Sequence, residues 1–187
     1  MNCQNFSDEE LTQKSLQDPD WFRCLVERYE EKLQRYIRRL TNMPAEDQED
    51  VLQEIFLNVY RNLYSFDPSL KFSSWIYRIA HNQVISLWRK QQRRPKIIFG
   101  EEGANLLEKM ATEDDILASL NKQDLQKELE SVLTKLKPQH MEVLVLKFLE
   151  EKSYQEISDI LKKPPGTVAS LINRAKKELR KYLTNDD

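Results

Sequence analysis

At 187 residues the chain has room for one domain or two small ones, and 32% charged against 40% hydrophobic residues with three glycines favour helices over tight β-turns. No apolar run approaches the roughly 20 residues that cross a bilayer, and the N-terminus, MNCQNFSDEEL, lacks the basic region and apolar stretch of a secretory signal. A formal net charge of −2 excludes neither nucleic acid nor protein partners, because opposing charge blocks follow one another along the chain.

The two cysteines, Cys3 and Cys24, have no CxxC spacing, and the two histidines, His81 and His140, stand far apart. Neither a disulfide framework nor a zinc site is expected; Cys3 reads as a thiol on a mobile terminus and Cys24 as semi-buried. The first convincing helix carries Phe22, Leu25, Val26, Tyr29, Leu33, Tyr36, Ile37 and Leu40 at three- and four-residue spacing, after the start signal Asp18-Pro19-Asp20. Thr41-Asn42-Met43-Pro44 breaks it. The next helix turns Val51, Leu52, Ile55, Val59 and Leu63 inward and Glu46, Glu49, Asp50 and Gln53 outward, and residues 65–69 read as a turn.

The segment 71–96, KFSSWIYRIAHNQVISLWRKQQRRPK, holds seven Lys or Arg, no acid, and two of the three tryptophans. With Ser73 as its expected cap, a helix here sorts Ile76, Ala80, Gln83, Val84 and Leu87 onto a core face. Trp75, Arg78, Asn82, Ser86, Arg89 and Arg93 fall on the other. Unopposed cations beside aromatics suit unpaired nucleic acid, which is held by stacking and phosphate attraction. The plainer alternatives are packed tryptophans and a solvated basic face. Periodicity then weakens over 95–123, and 101–128 carries eight acids against three lysines, as expected of a linker with a short helical piece near 115–120.

A second helical unit begins with Leu125, Leu129, Val132, Leu133 and Leu136, and Pro138 opens a helix running through Met141, Leu144, Val145, Phe148 and Leu149. In SYQEISDILKKPPGTVASLINRAKKELRKYL, Ser153 and Glu156 form a capping-box signature. Ile157, Ile160 and Leu161 mark a short helix that Lys162-Lys163-Pro164 stops. The longer helix after it has Val168, Leu171, Ile172, Ala175, Leu179 and Leu183 inside, and Thr167, Ser170, Asn173, Arg174, Lys177 and Lys181 outside. This is a helix-turn-helix whose second helix can enter a major groove, unless it is an ordinary hairpin of a bundle. The fold class is all-α: two small helical domains joined by an acidic linker, the C-terminal one a helix-turn-helix.

Two motif blocks in this order resemble the extracytoplasmic-function (ECF) sigma factors of the sigma-seventy family, over about residues 22–182. EDQEDVLQEIFLNVYRNLYSFDPSLKFSSWIYRIAHN is similar to the segment that binds the polymerase clamp and melts the −10 element. LKPQHMEVLVLKFLEEKSYQEISDILKKPPGTV is similar to the domain that reads the −35 element. The resemblance implies a region-two-like domain over 1–96, an acidic flexible linker over 97–124 and a region-four-like domain over 125–187. It assigns −10 recognition to Phe66, Lys71, Trp75, Arg78, Asn82, Trp88, Arg89, Lys90, Arg93 and Arg94. The −35 contacts fall to Tyr154, Gln155, Thr167, Ser170, Asn173, Arg174 and Lys177, and polymerase binding to Asp50, Gln53 and Glu54. The implied partners are core RNA polymerase, promoter DNA and an inhibitory anti-sigma protein, in a bacterial cytoplasm.

Neither catalysis nor a cofactor is expected. No metal-ligand spacing and no glycine-rich phosphate loop occurs. The family often has cations where this chain has Ala169 and Leu171, a glycine at Lys162 and an aspartate at Ser86. Arg174, Lys176 and Lys177 could compensate on the −35 side. The competing reading, a stand-alone helix-turn-helix regulator, predicts duplex binding without polymerase and leaves the Trp–Arg segment unexplained.

Overall fold

A computed structural model of the chain describes residues 3–41, 43–91 and 135–184, with the side chains of residues 90, 91, 183 and 184 left out. The expected linker, its helical piece at 115–120, most of the helix starting at Leu125, and the site residues Arg93 and Arg94 lie outside the described residues. All regular structure among the described residues is helical, and the chain divides into two compact units.

The first unit opens with a helix that hydrophobic spacing does not announce. α1 (Asp8–Gln17) is started by a Ser7/Glu10 capping box: the Glu10 amide donates to Ser7 Oγ at 3.1 Å, and the Ser7 amide donates to Glu10 Oε2 at 2.7 Å. It buries Leu11 together with Thr12 and Ser15. Those hydroxyls donate to the carbonyls of Asp8 and Leu11, so their burial leaves no donor unpaired. A polar clamp holds it to α2 (Phe22–Leu40): Asp8 accepts from Arg28 at 2.5 Å and from the Tyr29 hydroxyl. Burial and the Asp8 carboxylate push the Tyr29 phenol far above its ordinary pKa.

The start signal before α2 is borne out. Asp18 caps a 3-10 turn, Pro19–Trp21, by accepting from the Asp20 amide. α2 then buries Leu25, Tyr29, Leu33, Tyr36 and Ile37. α3 (Ala45–Arg61) buries Val51, Leu52, Ile55, Phe56 and Val59 and packs on α4 (Phe72–Gln91).

Two expectations need correction here. Cys3 and Cys24 are bonded as a disulfide, with Cα atoms 5.4 Å apart. The 3-10 turn Cys3–Asn5 and α1 fold back along α2, and a separation of 21 residues in sequence does not reveal that return. Ser73 does not cap α4, because the helix already starts at Phe72. The Lys71 carbonyl accepts from the Ser74 and Trp75 amides, and Glu9 Oε1 of α1 takes the Phe72 amide at 3.2 Å. A carboxylate from another helix supplies the cap, which a local search cannot find.

In the second unit α5 (Pro138–Leu144) begins at Pro138 and continues as a π-helical turn, Val145–Leu149. The Glu150 amide bonds the Val145 carbonyl five residues back, as that widened turn requires. α6 (Tyr154–Leu161) has the Ser153/Glu156 capping box. α7 (Pro165–Thr184) buries Val168, Leu171, Ile172, Ala175 and Leu179 and packs along α5, where His140 Nδ1 meets the Glu178 carboxylate.

Candidate nucleic-acid and polymerase interface

At α4 and the turn before it the polar candidates stay outward and the aromatic ones are covered. Asn82 and Arg89 are exposed and Arg78 partly so, at positions a helix places on one side, and Lys71 is exposed just before the first turn. Arg78 and Arg89 form no ion pair with another described residue. Ser86 donates to the Asn82 carbonyl at 2.9 Å. Phe66, Trp75 and Trp88 are buried, at 7%, 7% and 6% exposure. Of Lys90 only the backbone is described.

The burial of Trp75 has a visible cause. The loop after α3 folds over the first turn of α4 and brings Phe66 to 5.3 Å from the Trp75 ring; Phe72 lies 5.4 Å from Phe66 and 5.7 Å from Trp75. A helical wheel places Trp75 beside Asn82, and the wheel contains no loop to cover it. The loop is itself pinned: Asp67 Oδ1 accepts from the Ser69 amide at 2.9 Å, and that bond, with the Ser69 hydroxyl, lowers the Asp67 pKa. One aromatic next to it stays outside. Tyr64, in the 3-10 turn Leu63–Ser65, is 82% exposed. The sequence reading missed Tyr64, and a tyrosine in a turn gives no periodic signal.

α3 presents a different surface. Asp50, Gln53 and Glu54 are exposed, as expected. Leu57 and Tyr60 continue the same face one and two turns on, also exposed, and border an apolar groove with Phe22, Val26, Leu52 and Phe56. Phe22 and Tyr60 meet edge to face at 5.1 Å. Gln53 lines this groove, so the acidic-polar patch and the apolar one are continuous. Hydrophobic spacing could not flag Leu57 or Tyr60, because both lie off the buried stripe.

The helix-turn-helix is formed as expected, with Thr167, Ser170, Asn173, Arg174 and Lys177 exposed along α7 and Tyr154 and Gln155 exposed at the start of α6. Ser158 Oγ donates to the Lys163 carbonyl at 2.5 Å, and the Thr167 amide donates to Pro164 O at 2.9 Å, which fixes the turn. Lys162 ends α6 in the left-handed conformation, φ 54° and ψ 44°, where glycine is unstrained.

Two readings of the cations change. Leu171 is buried in the inner face of α7, so that position offers no phosphate contact to lose. Lys176, read as a compensating cation, lies over the Phe148 ring of its own unit at 5.0 Å.

Two family models match the chain. Sigma-70 region 2 matches residues 25–94, taking in most of α2 with α3 and α4, and Sigma-70, region 4 matches residues 126–179, taking in α5, α6 and most of α7. The ECF RNA polymerase sigma factor SigW of Bacillus subtilis is 34% identical, over 89% of this chain and 90% of its own length. The chain belongs to the sigma-70 family, among the ECF sigma factors.

The ECF RNA polymerase sigma-E factor of Escherichia coli K12 is similar too, 33% identical over 87% of this chain and 86% of that one. Among solved structures, CnrH in complex with the cytosolic domain of CnrY aligns over 96% of this chain and 99% of its own at a TM-score of 0.69, with 25% identity. The sigma factor RpoE of Bartonella quintana, solved with the anti-sigma factor NepR, shares the fold at a TM-score of 0.62 and 20% identity. This ECF factor is an alternative sigma subunit for promoter-specific transcription initiation. The stand-alone regulator is set aside, since it has no place for region 2. α1 lies outside both matched windows.

Proposed function

We propose that the sigma activity is divided among three surfaces of this chain. Lys71, Arg78, Asn82 and Arg89, with Lys90, Arg93 and Arg94 beyond them, hold the −10 element as an unpaired strand. Tyr64 supplies the exposed ring on which a base stacks. Phe66, Trp75 and Trp88 act from beneath, as the packed aromatic floor that fixes the turn and the helix. The outward face of α3, from Asp50 through Gln53 and Glu54 to Leu57 and Tyr60, binds core RNA polymerase. Thr167, Ser170, Asn173, Arg174 and Lys177 enter the major groove of the −35 element, and Tyr154 and Gln155 approach its backbone.

In this reading region two spans 1–96, a linker 97–124 and region four 125–187. The protein works in the bacterial cytoplasm as a non-catalytic subunit and is held inactive by an anti-sigma protein. The observation that carries this reading is the outward Asn82, Arg78 and Arg89 on a helix whose other face, with Phe72, Ile76, Ala80 and Val84, is built into the core.

Permanganate footprinting of promoter DNA with core polymerase and the purified factor tests it. Reactive thymines upstream of the start site, lost with Asn82→Ala/Arg89→Ala while polymerase still co-elutes, are the expected result. Unchanged melting by that variant would overturn the assignment.

A further inference from the structure

The Cys3–Cys24 bond involves none of the residues assigned to the three surfaces, and it conflicts with the compartment in which a sigma factor meets RNA polymerase. Cytoplasmic thiols are kept reduced, and disulfides formed there are mostly transient or redox-sensing. We propose that Cys3 and Cys24 are a reversible oxidation site, whose state sets how firmly the N-terminal segment is fastened to α2. This rests on the sigma reading only for the reducing compartment.

Three features make the pair suited to cycling. The thiols are preorganised by contacts that do not need the bond: Arg28 donates to the carbonyls of Cys3 at 2.8 Å and Phe6 at 3.1 Å. Phe6 also packs edge-on against Trp21 at 5.3 Å, with the Lys14 ammonium over both rings. Reduction therefore leaves the two sulfurs close, and reoxidation within one chain outcompetes pairing between chains. Second, the chain has no other cysteine that could divert the reaction. Third, access is unequal: Cys24 is 1% exposed and Cys3 partly exposed, so reagents meet Cys3 first.

With a hydroperoxide as oxidant, the Cys3 thiolate attacks the peroxide oxygen, forming a sulfenic acid and releasing the alcohol or water. The Cys24 thiolate then displaces the sulfenic oxygen as water, closing the S–S bond. In total two thiol hydrogens and one peroxide are consumed. In reverse, a dithiol attacks Cys3 Sγ and Cys24 leaves as thiolate and takes up a proton. The second thiol of the reductant then releases Cys3 as a thiol and departs as a cyclic disulfide. The bridge lies beside Pro19, Phe22 and Val26, which also wall the apolar groove next to Gln53, so the fastening acts along one edge of the polymerase-facing surface.

The test uses the full chain, reduced and desalted, then treated with hydrogen peroxide and returned with a dithiol. Thiols are counted by maleimide labelling and intact mass, and melting is followed by circular dichroism. Both thiols should disappear together in a monomer lighter by two hydrogens and return under native conditions. The oxidised form should melt roughly 10 °C above the reduced one in its N-terminal transition. Cys3→Ser should keep one free, slowly labelled thiol under peroxide and melt like the reduced protein, whatever the oxidant.

Linked dimers, a sulfinic or sulfonic product on Cys3, a bond that a dithiol cannot open without denaturant, or equal melting of the two forms would each overturn the proposal. The thiol count needs neither polymerase nor DNA. A protein that cycles the bond but supports no transcription would contradict the function reading alone.

Discussion

On α4 the outward amide and cations ride on a helix whose first turn is packed among rings, with Phe66, Phe72 and Trp75 in mutual contact. On α7 the first two turns offer Thr167 and Ser170 and no cation, and Asn173, Arg174 and Lys177 follow. The first surface suits a strand that must be held in a strained, unpaired form, because a rigid scaffold spends little binding energy on ordering itself. The second suits a duplex read through base-edge hydrogen bonds with modest phosphate attraction. On the proposed assignment, melting and reading place different demands on packing, and the two surfaces differ in chemistry accordingly.

The sharpest way to break this contrast is to remove the ring floor. Trp75→Ala should destabilise the first unit by about 3–5 kcal/mol, as large-to-small changes at buried aromatics do. Its melting transition should fall while that of the second unit stays put; little change would mean the rings are not structural. Tyr64→Ala makes the complementary cut. With stability unchanged, it should weaken binding of polymerase holoenzyme to a fork with an unpaired −10 strand by about 1–3 kcal/mol. Fluorescence anisotropy against fully paired DNA gives the control, and equal loss on both would remove Tyr64 from base stacking.

Smaller effects sharpen the −35 side. Ala169→Arg restores a cation on a partly exposed position. It should steepen the salt dependence of −35 duplex binding by about 0.9 in log–log slope, read from affinity across a salt series. Lys162→Gly relieves a left-handed residue at the end of α6 and should stabilise the second unit by about 1 kcal/mol. A loss of stability would mean the lysine side chain compensates for its backbone.

Much of this was legible in the amino-acid order. α2, α3, α6 and α7 announce themselves by apolar spacing and by local signals such as Asp18, Pro44 and the Ser153/Glu156 box, all of which act within a few residues. What stayed hidden depends on chain return. α1 is held by Asp8 reaching Arg28 and Tyr29, the cap of α4 comes from Glu9, and Cys3 meets Cys24 after a reversal. The same limit explains the aromatic residues of the site. Spacing placed Trp75 on the polar face correctly as an angle, but only the fold shows that Phe66 covers it and that Tyr64 stands clear. Leu171 and Lys176 are the matching cases on α7, where family pattern suggested phosphate contacts and packing claims both positions.

The most direct measurement is co-elution of the purified protein with core RNA polymerase on gel filtration, beside an Asp50→Ala/Gln53→Ala variant. The account predicts a stable complex that the double substitution weakens at least tenfold, because both side chains lie on the exposed face of α3 that runs into the groove beside Leu57. A complex unaffected by the substitutions would contradict the placement of the polymerase surface. Absence of any complex, with tight duplex binding by the protein alone, would contradict the account as a whole.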